Sequence, residues 1–459
     1  MFRRILIANR GEIAVRIIRT CIEMNIETVA VYSTADKDSL HVKLATKAVC
    51  IGPAKASQSY LNMNSILTAA LDNHCDAIHP GFGFLSENSD FARLCEENNI
   101  KFIGPKADVI DAMGNKAMAK TMMRKGSVPV VPGSDGALKD YDEAKEIADR
   151  IGYPVLLKAS AGGGGRGMRR AYSEEELKKA YDEAKAEARA CFGNDEMYIE
   201  KLIVNPRHIE FQILADEMGN VVHLGERDCS IQRKNQKLIE ESPCMLLSDE
   251  LRDKMGAAAV NAAKASGYTN AGTVEFVLDG DNNFYFIEMN TRIQVEHGVT
   301  EMVTGIDLIK EQIRIAFHET LGFEQEDIKL KGHAMECRIN AEDPAKGFMP
   351  NSGKITFLNL PGGPGVRVDT MLYNGYETSP FYDSMMAKII VHAPTRLEMI
   401  RKMRRALMEI STEGITTTSD FEYLILFHPD FIKGKYNVGF IEEHMDEILS
   451  WDAFGEGNE

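Results

Sequence analysis

The chain has 459 residues, of which 44% are hydrophobic and 27% charged, and its formal net charge at pH 7 is −16. A length of this order corresponds to about three domains, with enough apolar residues for a large core. The negative charge argues against nucleic acid or an anionic membrane as a partner, because phosphate groups would be repelled over most of the surface. A small anionic substrate is not excluded, since it needs only a local cluster of Lys and Arg.

The eight cysteines are scattered, and none forms a Cys-x-x-Cys pair. This pattern argues against a zinc site and favours reduced thiols in a cytosol. The N-terminal stretch lacks the unbroken apolar run of a signal peptide, because Arg10 and Glu12 interrupt it. No stretch approaches the roughly 18 apolar residues of a membrane span. We therefore expect a cytoplasmic protein.

The first 115 residues alternate between strand and helix signals. The apolar stretches RILIA, ETVAVYS, AVCIG, DAIHP and KFIGP read as strands, and GEIAVRIIRTCIEM has apolar residues at helical spacing. This alternation predicts a parallel, doubly wound sheet. The first strand-to-helix turn, ANRGE, lacks the Gly-x-Gly-x-x-Gly pattern, so a dinucleotide site is not supported there.

A second unit is expected over residues 116–317, with a small lid at about 131–203. The lid contains the strand YPVLLKA, the glycine-rich loop AGGGGRG, a long helix and the strand MYIEKLI. Backbone N–H groups of such a loop can surround a phosphate, although no Gly-Lys-Ser/Thr ends it as in a Walker A motif. Lys158, at the end of the first strand, could neutralise phosphate charge. A flexible linker is the less favoured alternative, because regular elements flank the loop closely.

The segment 273–296 predicts a hairpin, since two apolar runs flank the turn sequence DGDNN. Strict alternation along the second strand puts five side chains on one face, namely Phe284, Phe286, Glu288, Asn290 and Arg292. On the first strand Glu275 faces away from its neighbours Val274 and Phe276. Carboxylates among apolar residues are costly unless paired or bound to metal, and oxygen ligands suit Mg²⁺ or Mn²⁺. A solvated polar sheet face is the alternative.

Three further stretches contain polar residues in strand-like sequence. In RHIEFQILAD, His208 and Glu210 alternate with apolar residues, and a lone histidine in such a place is more often structural than functional. The run IQRKNQK contains Lys237; such runs are mostly solvated, but a fixed lysine could hold a small anion. Arg338 follows Glu336 by two residues, and a surface salt bridge is the simplest interpretation. The region 318–446 is strand-rich and includes a basic helix, and a tail is expected at 447–459.

Five motifs in this order carry a resemblance to a known family: ILIANRGEIAVRIIR, HPGFGFLSEN, KASAGGGGRGM, IEMNTRIQVEH and ECRINAED. They resemble biotin carboxylase, the ATP-grasp component of acetyl-CoA carboxylase and related biotin-dependent carboxylases, from Arg4 to about residue 446. The resemblance implies an α/β and α+β multidomain fold. Its parts would be a Rossmann-like N-terminal lobe, an ATP-grasp core with a mobile glycine-rich lid, and a strand-rich C-terminal domain.

The resemblance also implies site residues, the cofactors ATP and Mg²⁺ or Mn²⁺ (two ions), and biotin as a carrier-bound substrate. The residues implied in ATP binding are Lys116, Lys158, Gly163, Gly164, Gly165, Met168, Glu200, Lys201, Leu202, Ile203, His208, Gln232, Asn235, Glu275 and Glu288. The implied metal ligands are Glu275, Glu288 and Asn290. The bicarbonate and biotin pocket would contain Lys237, Arg292, Gln294, Val295, Arg338 and Phe82. The catalytic set would be Lys237, Arg292, Glu296 and Arg338.

The implied reaction has two steps. Glu296, as general base, would deprotonate bicarbonate, which attacks the γ-phosphate of ATP to form carboxyphosphate. This intermediate would decay to CO₂ and phosphate, the phosphate would take a proton from biotin N1′, and Arg338 would stabilise the enolate-like biotin. A closed lid would keep water from hydrolysing the intermediate.

The chain departs from the family pattern at three positions. Asn235 stands where many bacterial members have histidine, and Phe82 replaces a frequent tyrosine near the implied biotin pocket. Gly298 stands where proline or threonine is common, so a looser loop is expected there.

The partners follow from the same resemblance. No lysine lies in an Ala-Met-Lys-Met setting, so biotin is expected on a separate biotin carboxyl carrier protein, with carboxyltransferase subunits as further partners. A homodimer is implied, because Arg19 and Glu23 resemble interface residues of the family. The expected function is the first half reaction of acetyl-CoA carboxylase in fatty-acid synthesis. The alternatives are a component of a pyruvate or propionyl-CoA carboxylase, another ATP-grasp ligase, and a non-catalytic ATP-binding protein.

Overall fold

The structure is a computed structural model that describes residues 1–159, 168–192 and 195–451. The predicted phosphate-binding glycines Gly163, Gly164 and Gly165 lie outside the described residues, as does most of the predicted tail.

The N-terminal lobe is the predicted parallel sheet. Its strands are β1 (Arg4–Ile7), β2 (Glu27–Ser33), β3 (Lys47–Gly52), β4 (Ala77–His79) and β5 (Lys101–Phe102), in the order β3-β2-β1-β4-β5. Its helices are α1 (Gly11–Glu23), α2 (Leu40–Leu44), α3 (Met63–Asp72), α4 (Ser89–Glu97) and α5 (Ala107–Gly114), with short 3₁₀ turns at Thr34–Asp36 and Ala56–Gln58. Helix α1 forms as predicted because Ile13, Ile17 and Cys21 recur on one face and are fully buried in the core.

A small unit with its own core follows. It is reached through α6 (Lys116–Lys125) and contains α7 (Tyr141–Ile151), β6 (Val155–Ala159), β7 (Met168–Ala171), α8 (Glu174–Phe192) and β8 (Met197–Lys201). The three strands form an antiparallel sheet in the order β7-β6-β8. Buried Leu157, Ile147 and Tyr181 join the sheet to the two helices. The elements thus match the lid-sized unit that the sequence predicts.

The largest sheet is antiparallel and contains eight strands in the order β13-β12-β9-β10-β11-β14-β19-β18. The elements of this part of the chain are β9 (Arg207–Ala215), β10 (Val221–Arg233), β11 (Gln236–Ser242), α9 (Asp249–Ser266), β12 (Asn270–Leu278), β13 (Phe284–Asn290), α10 (His297–Thr304), α11 (Leu308–Ala316), β14 (His333–Asn340), β15 (Glu342–Asp343), β16 (Met349–Pro350), β17 (Phe357–Asn359), β18 (Val366–Thr370), β19 (Met385–Ala393), α12 (Arg396–Glu409), β20 (Ser411–Glu413), α13 (Ser419–Ile425), α14 (Pro429–Ile432) and α15 (Phe440–Leu449), with 3₁₀ turns at Gln325–Asp327 and Pro344–Lys346. The strands β15 and β16 pair with each other, as do β17 and β20.

The pairing of β11 with β14 makes this sheet continuous between the predicted nucleotide-binding unit and the predicted C-terminal domain. One face of strands β9 and β12 packs Ile209, Phe211 and Phe276 against α9. The opposite face of the same strands is polar, and it positions the site described below.

Most of the described cysteines are buried. Cys21, Cys75, Cys95, Cys229, Cys244 and Cys337 are buried free thiols, whereas Cys50 is exposed. In the part of the chain that the structure describes, no helix combines the length and the apolar character that crossing a bilayer requires.

Candidate active site

Three glutamates lie side by side on neighbouring strands. Glu275 on β12 is the direct cross-strand partner of Glu210 on β9 and of Glu288 on β13. Directly opposed residues share a face of the sheet, so the three carboxylates project to the same side. The alternation of RHIEFQILAD already separated Glu210 from its apolar neighbours, but its approach to Glu275 depends on the pairing of β9 with β12.

The second hairpin strand does not alternate strictly, and one prediction on it is wrong. The register shifts after Glu275, so that Glu288 opposes Glu275 whereas Phe286 opposes Phe276. Ile287 is therefore an extra residue, a β-bulge, which reverses the parity of the strand. Phe284 and Phe286 pack into the core below the sheet and do not share the face of Glu288 and Asn290, as strict alternation predicts.

Lys237 connects the carboxylates. Its Nζ lies 2.6 Å from Glu210 Oε2, 2.6 Å from Glu296 Oε1 and 3.4 Å from Glu275 Oε1. Burial lowers the pKa of Lys237, but the surrounding anionic groups outweigh this effect and raise it well above its ordinary value. Lys237 on β11 is thus held as an ammonium between β9, β12 and the end of the loop before α10. It is not solvated, as lysines in such basic stretches mostly are.

Glu275 is enclosed by donors. Asn290 Nδ2 and Gln294 Nε2 donate to its Oε1 at 2.8 and 2.7 Å, and His208 Nε2 lies 3.1 Å from its Oε2. Burial alone would raise the pKa of this carboxyl, but Lys237 and His208 reverse the effect and hold it below its usual range. His208 is therefore part of the cluster and not an isolated structural histidine.

A fully buried arginine that no sequence pattern indicated organises the base of the cluster. Arg227 on β10 donates Nε to Glu210 Oε1 at 2.5 Å and Nη2 to Gln294 Oε1 at 2.7 Å. It also bonds the oxygens of Gln212, Thr273 and Thr300. A charged residue in the run GERDCS gives no signal of burial, because its partners come from four other segments.

A second cation lies beyond Glu296. Arg338 on β14 donates Nη2 to Glu296 Oε2 at 2.9 Å and Nε to Glu240 Oε1 at 2.6 Å. Burial raises the pKa of Glu296, but Lys237 and Arg338 outweigh it and hold that pKa well below the ordinary value. Burial raises the pKa of Glu240 to about 7, against the opposing charge of Arg338. The surface salt bridge between Arg338 and Glu336 is wrong: both side chains are internal, and the ion pairs of Arg338 are with Glu240 and Glu296.

A cavity of about 540 Å³ opens beside Arg338, where the N-terminal lobe meets the large sheet. Its wall includes four residues of the predicted bicarbonate and biotin pocket, namely Phe82, Arg292, Val295 and Arg338. Arg292 is fixed at its edge, because Nε donates to Glu87 Oε2 and Nη2 to Asn290 Oδ1, both at 3.0 Å. Two arginine side chains and apolar residues therefore line the same cavity.

The residues predicted to bind ATP are only partly brought together. Glu200 on β8 accepts from Lys120 Nζ at 2.7 Å and forms an ion pair with Lys158. Lys201, in contrast, turns its Nζ to the carbonyl oxygens of Gly152 and Tyr153, at 3.0 and 2.8 Å. Lys120 was not among the predicted site residues, although it lies one turn after Lys116 in α6 and so shares its helix face.

The other predicted nucleotide residues lie at or near the ends of strands. Met168 begins β7 and is 38% exposed, and Leu202 and Ile203 directly follow β8. Gln232 is buried on β10 opposite Lys237. Asn235 occupies the two-residue turn between β10 and β11 with φ 65°, a left-handed conformation that asparagine tolerates well. The turn therefore accommodates Asn235 without backbone strain.

The donor set fits a hard divalent cation. Glu275, Glu288 and Asn290 offer carboxylate and amide oxygens, which suit Mg²⁺ or Mn²⁺. Glu288 accepts no hydrogen bond from the residues that the structure describes, and burial together with Glu275 raises its pKa. A half-buried carboxylate without a donor beside a second carboxylate is the arrangement that a bound cation would stabilise.

The expected loose loop at Gly298 is wrong. Gly298 is the second residue of α10 and is buried, and a Cβ on it would lie 2.3 Å from Ile390 Cδ1. The glycine therefore allows β19 to pack closely against the helix that follows Glu296.

Three family models match the chain, one after another. The family model described as biotin carboxylase, N-terminal domain, matches residues 1–110, and that of the biotin carboxylase C-terminal domain matches residues 336–443. Between them, the ATP binding domain of the carbamoyl-phosphate synthase L chain matches residues 115–324.

Curated relatives and solved structures extend over nearly the whole chain. Biotin carboxylase 1 of Bacillus subtilis is 56% identical over 97% of this chain and 99% of its own length. A pyruvate carboxylase subunit of Methanothermobacter thermautotrophicus is 54% identical over 98% of this chain and 91% of its own. The biotin carboxylase domain dimer of the Hydrogenobacter thermophilus 2-oxoglutarate carboxylase, solved with MgADP, ADP and bicarbonate, has a TM-score of 0.90 and 53% identity and covers 98% of this chain and 99% of its own.

The fold and the site together define an ATP-grasp enzyme. The chain belongs to the biotin carboxylase family.

Proposed function

We propose that this protein uses ATP and bicarbonate to carboxylate biotin. The observation that supports it best is the continuous line from the carboxylates Glu275 and Glu288, through Lys237 and Glu296, to Arg338 at the wall of the 540 Å³ cavity. One end offers oxygen ligands for a metal nucleotide, the middle offers cations for a small anion, and the other end offers room for a second substrate. The relative from Hydrogenobacter thermophilus was solved with MgADP and bicarbonate.

In this proposal Glu275, Glu288 and Asn290 would hold a divalent metal ion, which would supply positive charge to neutralise the phosphates of ATP. Lys237, Arg292 and Arg338 bind bicarbonate, and Glu296 accepts its proton. Glu296 is a carboxylate across the neutral range, so it is already in the accepting state. A bicarbonate that takes Lys237 and Arg338 as partners would draw their charge away from Glu296, and the proton affinity of Glu296 would rise. The remaining ATP-binding residues and the domain boundaries predicted above are part of the same proposal.

The central test measures phosphate release from ATP with bicarbonate, with and without free biotin. Wild type should require bicarbonate and should be stimulated by biotin, and Glu296→Gln should lose at least about 100-fold in kcat, the scale of a general base. Glu250→Gln, which removes an exposed carboxylate on α9, is the matched control and should leave the rate unchanged. Turnover that ignores bicarbonate, or a fully active Glu296→Gln, would refute the assignment.

We further propose that biotin arrives on a separate carrier protein, that carboxyltransferase subunits complete the reaction as in acetyl-CoA carboxylase, and that the chain works in the cytoplasm. The pyruvate carboxylase relative from Methanothermobacter thermautotrophicus, at 54% identity, favours a second candidate with the same half reaction. The carboxyltransferase that copurifies with the chain distinguishes them. An acetyl-CoA-specific carboxyltransferase supports the first candidate, and a pyruvate-specific one supports the second.

We propose a homodimer as well. Arg19, Ile22 and Glu23 form an exposed strip on α1, and Ile22 is 55% exposed. The Hydrogenobacter relative is described as a dimer. Sedimentation equilibrium of wild type should give twice the mass of the chain, and Arg19→Glu should shift the population toward monomer.

A further inference from the structure

We propose that Lys388 positions the Val295–Glu296 segment and couples it to the N-terminal lobe through Glu12. The inference rests on the proposed function, because it concerns the segment that would bind bicarbonate and supply the base. Lys388 does not line the cavity, so its role would be to hold other groups in place and not to touch substrate.

Lys388 on β19 is fully buried, at 0% exposure. A buried ammonium is costly unless it is paired and hydrogen-bonded. Its Nζ donates to the carbonyl oxygen of Val295 at 2.6 Å and lies 3.2 Å from Glu12 Oε1. The carboxylate of Asp369 is more distant, at 4.0 Å, and is already paired with Arg367. The lysine therefore joins three segments that are far apart in the chain.

The carbonyl that Lys388 holds is at the centre of the site. Val295 lies between Gln294, which donates to Glu275, and Glu296, which pairs with Lys237 and Arg338. Fixing the Val295 carbonyl fixes the plane of the peptide that connects Val295 to Glu296. The sheet supports this arrangement, since Lys388 is the direct cross-strand partner of Arg338. The cross-strand pair Arg338 and Lys388 thus holds Glu296 at two points. Arg338 pairs with its carboxylate, and Lys388 bonds the backbone carbonyl of the residue before it.

Glu12 connects this row to the N-terminal lobe. It lies in the first turn of α1, is 4% exposed and contributes to the wall of the cavity. Its two carboxylate oxygens have no hydrogen-bond partner among the described residues, and Lys388 is the cation beside them. Loss of Lys388 would leave both Glu12 and the Val295 carbonyl buried without a partner. The position of α1 and the position of Val295 therefore depend on one side chain.

If the ion pair between Lys388 and Glu12 only stabilised the fold, its loss would not act on bicarbonate in particular. Replacing both members of a buried pair with neutral residues of similar shape is often tolerated by the fold. We therefore test Lys388→Met/Glu12→Gln, which removes both charges of this pair together. The matched control is Arg252→Met/Glu226→Gln, because Glu226 is buried and its ion pair with Arg252 joins β10 to α9 on the other face of the sheet.

The first readout separates bicarbonate from nucleotide. The Lys388/Glu12 double variant should raise KM for bicarbonate or lower kcat by about tenfold or more, the scale of a sub-ångström to ångström displacement. Its affinity for ADP with Mg²⁺, measured by calorimetry, should stay within about twofold of wild type. The control double variant should keep both quantities. A Lys388/Glu12 variant with unchanged KM and kcat, or equal losses in both double variants, would overturn the inference.

The second readout does not need activity. Amide hydrogen exchange over residues 294–298 in the ligand-free protein should become faster in the Lys388/Glu12 variant and not in the control. If wild type shows no bicarbonate-dependent turnover, the proposed function fails, and exchange alone decides the positioning role. Unchanged exchange over this segment would then refute it.

Discussion

Glu275 and Glu288 oppose each other across β12 and β13, and a bulge at Ile287 brings them to the same face. Without the extra residue, the pairing of Phe286 with Phe276 would direct residue 288 into the core side of the sheet. The bulge thus allows one strand to supply Phe286 and Met289 to the core and Glu288 to the site. Such local breaks in register are typical of functional sites.

The first prediction concerns the metal. Glu288→Gln keeps the shape of the side chain but removes the negative charge that would balance the charge of a divalent cation. We expect the Mg²⁺ or Mn²⁺ concentration for half-maximal ATP turnover to rise at least about tenfold, because a charged ligand is lost. Titration of the metal at fixed ATP checks this. Tyr285→Phe, on the same strand but outside the row of glutamates, should keep the wild-type dependence, and an unshifted Glu288→Gln curve would contradict the metal site.

The second prediction concerns the division of labour between Arg338 and Lys237. Arg338 lies at the cavity wall and Lys237 lies at the carboxylates, 2.6 Å from both Glu210 and Glu296. Arg338→Ala should therefore reduce biotin carboxylation more than biotin-independent ATP hydrolysis, by about tenfold or more in their ratio. Parallel assays of carboxybiotin and phosphate measure it. A larger loss in the hydrolysis than in the carboxylation would contradict this assignment.

The third prediction concerns Gly298. Gly298→Ala should destabilise the protein by about 1–3 kcal/mol, because the added methyl group would overlap Ile390 in a packed interior. The double variant Gly298→Ala/Ile390→Val removes the Cδ1 atom that the methyl group meets, so it should recover part of the loss. Urea unfolding of the four proteins gives the coupling. Additive effects of the two substitutions would show that this contact is not the cause.

The fourth prediction concerns acid stability. His41 is fully buried, and burial lowers its pKa to about 4 in the folded protein, with Asp36 opposing and Arg10 reinforcing the shift. Below about pH 6.5, His41 binds a proton in the unfolded chain, whereas in the folded protein it stays neutral down to about pH 4. Stability therefore falls as pH falls through this window, by up to about 3 kcal/mol from this group.

His41→Gln tests the same window. The variant should flatten the fall in the urea midpoint between pH 7 and pH 4.5, even if it is less stable at pH 7. His79, whose pKa burial lowers to about 3, acts in the same direction and remains in both proteins. Parallel curves for wild type and His41→Gln would contradict the prediction.

The sequence determined the elements and the kinds of chemistry. Regular spacing of Ile13, Ile17 and Cys21 specified α1, alternating apolar residues specified β9, and two apolar runs around DGDNN specified the hairpin, because these patterns depend on the neighbours within one segment. Oxygen ligands on that hairpin predicted a metal nucleotide, and five motifs spread between Ile5 and Asp343 predicted the family. These features lie within single segments of the sequence, so they can be recognised without knowing which segments pack together.

Only the tertiary structure decided which charges are buried and which partners they meet. Arg227, Glu240 and Lys388 look like solvated residues in their own segments, yet each is enclosed by strands and helices distant in sequence. The bulge at Ile287 and the close packing at Gly298 likewise depend on the partner strand and on Ile390. Burial, register and ion pairing arise from contacts between segments, and a linear pattern contains no record of those contacts.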